Sequence, residues 1–167
     1  MSLIEEKSND KEINSSSESS WSQVNAGTLT NDKKELVVHI RMLPVKGIVV
    51  SLFSDNENEI IETLVNSIQI IKEKKEIEHY VVMQNKNIAT GFAKSIHLEK
   101  GNLKVTVITL NDSFNVSSVK NDIFFNKGFS EVIYKNGKRF VPQLKLVEEI
   151  DTTKASSINA NDVVLVT

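Results

Sequence analysis

The sequence predicts an α/β fold in which helices pack on a mostly parallel sheet. Short runs of β-branched residues alternate along the chain with segments of helical periodicity, in the order β-α-β-α-β. The run at residues 48–53 is apolar on both faces, as is typical of a buried parallel strand. Further on, Asn136-Gly137 between two β-rich runs predicts a hairpin. Together they predict an α/β domain with a mostly parallel, Rossmann-like sheet that ends in a hairpin.

The chain has 167 residues, of which 40% are hydrophobic, and this is enough for one core. The net charge of -2 and scattered lysines argue against nucleic acid as a partner. The chain has no cysteine, and its three histidines (His39, His79 and His97) stand far apart, so we expect no metal site. No run has the length of a signal peptide or membrane span, which predicts a cytoplasmic protein without membrane contact.

Composition divides the chain into three parts. Residues 1–34 are rich in Ser, Asn and acidic residues and predict a flexible linker. Trp21 within it is expected to be exposed, with docking on a neighbouring domain as the alternative. Residues 35–150 carry the patterns of strands and helices and form the predicted folded domain. Residues 151–167 return to linker composition and then end in an apolar run at 162–167, which predicts one more strand.

The first half of the domain is predicted to begin with strands at 36–40 and 48–53. Ser54 and Glu57 have the spacing of a capping box, so a helix is expected to start there. Its apolar stripe follows a period of 3.6, and Lys72 to Lys75 lie at its end, where cations stabilise a helix. The stripe consists of Ile60, Ile61, Leu64, Val65, Ile68 and Ile71.

The next elements are a strand at 79–83, a helix over 88–96 and a strand at 103–110. Gly91 within this helix costs about 1 kcal/mol relative to alanine, which suggests close packing against a strand. The three elements continue the β-α-β order with right-handed crossovers.

Residues 111–128 are weakly patterned and predict at most one short helix. The hairpin over 131–146 turns at Asn136-Gly137, which pairs Lys135 with Lys138 and Tyr134 with Arg139. Tyr134-x-x-x-Lys138 matches a reductase motif that requires a helix, so on a hairpin we interpret it as accidental. Pro142 places the second arm at an edge.

Three segments together resemble the structural subdomain of modular polyketide-synthase ketoreductases. They are the strand at 47–53 with its helix, the segment 88–99 (Ile-Ala-Thr-Gly-Phe-Ala-Lys-Ser-Ile-His-Leu-Glu), and the hairpin at 131–144. Phe92 and Lys94 replace the family's usual leucine and arginine, and Lys100-Gly101 stands where a proline is common. The hairpin is the most specific of the three.

The resemblance implies a non-catalytic role for this chain. The family's NADPH loop and its catalytic Ser, Tyr, Lys and Asn lie in a downstream half, so no catalytic, cofactor-binding or metal residue is assigned here. Residues 162–167 look like the first strand of that half, which in the family leads into a Gly-rich phosphate turn. The implied partners are the catalytic half, other synthase domains and, indirectly, an acyl carrier protein that bears the β-ketoacyl thioester.

The leading hypothesis is therefore a structural module that braces a ketoreductase. One alternative is a self-contained α/β binding or adaptor protein in which 162–166 is an ordinary strand. Another is a small enzyme that works through His97 or Tyr134. His97 and Glu99 are two residues apart and do not face each other on a helix, which argues against an acid–base pair.

Overall fold

The computed structural model describes residues 20–144, which form one six-stranded sheet. The strands lie in sequence order, and β1 to β5 are parallel while β6 runs antiparallel to β5. They are β1 (Trp21–Ala26), β2 (Gly47–Leu52), β3 (His79–Gln84), β4 (Lys104–Leu110), β5 (Phe129–Lys135) and β6 (Lys138–Phe140). The predicted α/β class with a mostly parallel, Rossmann-like sheet is confirmed.

Four helices connect the parallel strands: α1 (Asn31–Arg41), α2 (Glu57–Glu73), α3 (Thr90–Glu99) and α4 (Val116–Phe124). The apolar sides of α1 and α4 cover one face of the sheet, and those of α2 and α3 cover the other. The sheet is thus buried on both faces, which explains why β2 and β3 are buried along their whole length. Within residues 20–144, no helix combines the length and apolarity that crossing a membrane requires.

The face of the sheet on which each helix lies determines the relative handedness of the crossovers. Successive strands always advance in the same direction across the sheet, so crossovers on opposite faces have opposite hands. The pair through α1 and α4 therefore differs in hand from the pair through α2 and α3. The crossovers that the sequence predicted to be right-handed, through α2 and α3, share one face and therefore one hand. One of the two pairs of crossovers departs from the strong general preference for the right hand.

The fold begins earlier than the predicted boundary at residue 35. Residues 21–26 are strand β1, and the predicted strand at 36–40 belongs to helix α1. Leu36, Val37 and Ile40 have helical spacing and are buried, a period that the β-branched residues concealed. Trp21 is only 2% exposed, so its assignment to an exposed linker is also wrong.

Three local predictions need correction on α2 and α3. The cap of α2 is Asn56 and not Ser54: its side chain accepts hydrogen bonds from the amides of Asn58 and Glu59. The apolar stripe is also narrower than predicted, because Ile61 and Val65 are exposed. A Cβ at Gly91 would meet nothing within 4 Å, so that glycine is not a packing residue.

The other predicted elements within the described residues are confirmed. The strands at 48–53, 79–83 and 103–110 form with bounds shifted by one residue, the helix predicted over 88–96 is α3, and a short helix forms within 111–128. The hairpin also forms, but its second strand ends at Phe140, and residues 141–144 are not strand. Asn136 and Gly137 have φ of 52° and 68°, the two positive values that a type I′ turn requires. The predicted linker and strand at 151–167 lie outside the described residues.

Candidate functional site

The topology of the sheet places two candidate ligand crevices at its carboxyl edge. Ligands of open α/β sheets bind where neighbouring connections leave the strands toward opposite faces. Here β1 leads to α1 and β2 to α2 on the other face, and β3 leads to α3 and β4 to α4 on the other face. The two candidate sites are therefore between β1 and β2 and between β3 and β4.

Gly27 shapes the first crevice. It follows β1 with a φ of 80°, and a Cβ there would lie 2.7 Å from the backbone of Phe53 and Ser54 beyond β2. Glycine is required here because a side chain would be strained at this positive φ and would clash with the backbone beyond β2. A nucleotide-binding domain places its phosphate turn after its first strand, at the N-terminus of the next helix.

A carboxylate of the protein itself occupies the position beside this turn. The backbone amide of Gly27 donates to Oε1 of Glu59 at 2.8 Å, and the Ser54 hydroxyl donates to Oε2 at 2.5 Å. The hydroxyl of Ser54, followed by the Gly27 amide, lowers the pKa of Glu59. Asp32 adds a further negative charge in the first turn of α1. Both carboxylates oppose the binding of a phosphate group there.

Gln84 fills the second crevice. It is fully buried at the end of β3, and its Oε1 accepts hydrogen bonds from the amides of Ile88 and Ala89 at 3.2 and 3.0 Å. Its Nε2 donates to the hydroxyls of Thr109 and Thr90 at 3.1 and 3.4 Å. All four hydrogen-bonding positions of the amide are thereby used within the protein.

Tyr134 forms a structural cluster and not a reductase pair. The observed register pairs Tyr134 with Arg139 and Lys135 with Lys138, as predicted. The Tyr134 hydroxyl donates to Asp122 of α4 at 2.6 Å, and Arg139 contacts the same carboxylate through two nitrogens. Burial and the Asp122 carboxylate raise the pKa of Tyr134. A catalytic tyrosine needs the opposite shift.

The three histidines lie on separate elements. His97 is half-buried and its Nδ1 contacts the carbonyl oxygen of Leu103 at 2.9 Å, so it does not pair with Glu99. His39 lies on α1 within 3.8 Å of Glu35. His79 is buried on β3 beside Trp21, and neither of its ring nitrogens has a hydrogen-bond partner among the described residues. In residues 20–144, no group of three or more His, Asp or Glu side chains is placed to hold a metal ion.

Sequence reasoning missed the residues that fill both crevices. Gly27 had been placed in a linker, although a glycine after Val24-Asn25-Ala26 is a signal of a βα turn. A second signal is Gln84 at the end of an apolar strand. A buried side-chain amide requires hydrogen-bond partners, so it indicates a polar cluster at that position. Glu59 carries no such signal, because a glutamate in the first turn of a helix is common.

Comparison of the chain with protein-family models, with curated proteins and with solved structures found no match.

Proposed function

We propose that this chain is the structural subdomain of a polyketide-synthase ketoreductase, and that it braces the catalytic half without chemistry of its own. One observation carries the proposal: at the carboxyl edge, the Gly27 amide of the first crevice is already bonded to Glu59, and the buried side chain of Gln84 fills the second crevice. A sheet whose ligand positions are saturated in this way suits a scaffold.

The resemblance supports the same conclusion. The hairpin at 131–144, the most specific of the three similar segments, is built on a type I′ turn and is tied to α4 by Tyr134 and Asp122. In the proposed assembly, NADPH binds to the catalytic half, which reduces a β-ketoacyl thioester on an acyl carrier protein in the cytoplasm. The present chain contributes rigidity and a docking surface for that half.

The first test is titration of the purified chain with NADPH, followed by calorimetry and by the fluorescence of the nicotinamide. We expect no saturable binding up to millimolar concentrations, because residues 20–144 offer no free phosphate turn and Glu59 repels the ligand. Binding with a micromolar Kd would overturn the proposal and favour a small nucleotide-binding protein.

The second test asks whether the chain binds and stabilises a catalytic half. The chain is co-expressed with a ketoreductase catalytic half that begins with the Gly-rich turn, ideally the one encoded past the Thr167 codon. Co-purification and a higher melting temperature of the catalytic half are expected. If the two proteins purify separately and the next gene encodes no reductase, a self-contained adaptor becomes the better account.

A further inference from the structure

A groove rimmed by lysines runs along the amino edge of the sheet, opposite the two crevices. It consists of two adjoining parts of about 520 and 470 Å³ that share Lys74 and Ile77. The ends of α2 and α3 form its walls, and Ile71, Ile77 and Leu103 contribute an apolar floor. We call this feature the lysine groove.

The charge of the lysine groove is opposite to that of the whole chain. Five lysines line it, against two glutamates, Glu76 and Glu99, so the lining has a net charge of +3 while the chain has -2. The lysines are Lys46, Lys72, Lys74, Lys75 and Lys100.

Helix ends do not account for this charge. Each helix C-terminus carries about half a negative charge, so the ends of α2 and α3 together offset about one of the three positive charges. All five lysines are exposed, and none forms an ion pair within residues 20–144. About two positive charges are left for an acidic ligand.

The chain itself supplies a segment of matching charge. Residues 1–19 contain five acidic residues (Glu5, Glu6, Asp10, Glu12 and Glu18) and two lysines, a net charge of -3. This segment joins the fold at Ser20, which itself lines the lysine groove next to Lys46 and Lys74. A stretch of 19 residues spans up to about 60 Å when extended, so it reaches every lysine of the groove.

We propose that the acidic segment 1–19 docks in the lysine groove of its own chain. Tethering at Ser20 gives the segment an effective concentration on the order of millimolar at the groove, so weak individual ion pairs suffice for occupancy. The contact depends on exposed charges and weakens as ionic strength rises. It does not depend on the proposed role in a ketoreductase.

Carbodiimide cross-linking of the full chain tests the proposal, because this reagent joins carboxylates to lysines only where they touch. An equal mixture of ¹⁵N-labelled and unlabelled chain separates contacts within one molecule from contacts between two. We expect cross-links from segment 1–19 to the groove lysines to exceed those to Lys127, Lys135 and Lys138 roughly fivefold in yield, within single molecules. These three control lysines are exposed as well.

Raising NaCl from 50 to 500 mM is expected to reduce this excess severalfold, since the Debye length falls about threefold. Replacing the five acidic residues of the segment by their amides should make the groove lysines as reactive toward acetylation as the controls. Equal cross-linking of all lysines overturns the proposal. Cross-links mainly between labelled and unlabelled chains also overturn it, in favour of a second copy as the occupant.

Discussion

The backbone amide of Gly27 donates a hydrogen bond of 2.8 Å to the carboxylate of Glu59, across the crevice between β1 and β2. The amide comes from a glycine turn at the end of a parallel strand, a type of position that binds phosphate in nucleotide-binding folds. The carboxylate comes from the first turn of α2, on the opposite face of the sheet. The bond therefore occupies a position where a ligand could bind, and it also links the turn between β1 and α1 to helix α2.

Replacing Glu59 by glutamine is expected to lower the melting temperature at pH 7. Its folded-state pKa is lowered by Ser54 and Gly27, so the stabilisation is present above the unfolded-state value of about 4.5 and is lost as pH falls through the folded-state value. The difference in melting temperature between wild type and E59Q should thus shrink between pH 5 and pH 3. Calorimetry across this range measures it.

Glu62, exposed on the same helix, provides the matched control: E62Q should shift the melting temperature far less than E59Q. A difference between wild type and E59Q that grows toward pH 3 would contradict the assigned hydrogen bonds.

Replacing Gln84 by methionine is expected to destabilise the fold by about 2–4 kcal/mol. The change leaves the partly buried amide of Ile88 and the buried amide of Ala89 without their acceptor, and each unsatisfied buried group costs about 1–3 kcal/mol. Gln69 is exposed on α2, so Q69M should change stability by less than about 0.5 kcal/mol. Urea unfolding of both variants provides the comparison. If Q84M and Q69M are equally stable, the side chain of Gln84 does not stabilise the fold by filling the second crevice.

The sequence predicted those parts of the fold whose signals are local. The strand at 48–53 and the turn at Asn136-Gly137 each carry their pattern within a few residues, and both form. Helix α1 was missed because Val37, Val38 and Ile40 have β propensity. The helix is stabilised when its apolar side packs on the sheet, and that contact cannot be seen in the local sequence.

The contents of the crevices could not be predicted because they depend on contacts distant in sequence. Glu59 meets Gly27 across 32 residues, and Gln84 meets Thr109 across 25. Which helix lies on which face is likewise a property of the whole sheet, and that sidedness decides where the crevices open. Local patterns therefore predicted the elements but not their arrangement around a site.

Replacing Gly47 by alanine is expected to destabilise the fold by about 1–3 kcal/mol, the usual cost of overpacking. A Cβ at this position would clash with the indole ring of Trp21, which lies against the glycine from the neighbouring strand. Gly91, in a helix with open space around it, is the matched control. G91A should stabilise the protein by about 0.5–1 kcal/mol.

Chemical unfolding followed by the fluorescence of Trp21, the single tryptophan, reports both glycine variants. No loss of stability in G47A would show that the packing between β1 and β2 differs from that described, and a loss in G91A would show that the space around Gly91 is not open.

Protonation of His79 should destabilise the protein between pH 7 and pH 5. Burial, and then the charge of Lys104, lowers its folded-state pKa, while Glu78 acts in the opposite direction. The unfolded chain therefore binds the proton more readily below about pH 6.5. As the pH decreases, this group lowers the free energy of unfolding by at most about 1.4 kcal/mol per pH unit. In H79L this contribution disappears, so the stabilities of variant and wild type should diverge in favour of the variant as the pH falls. Urea unfolding at pH 7, 6 and 5 measures that divergence, and a constant difference would mean that the buried ring does not couple to folding.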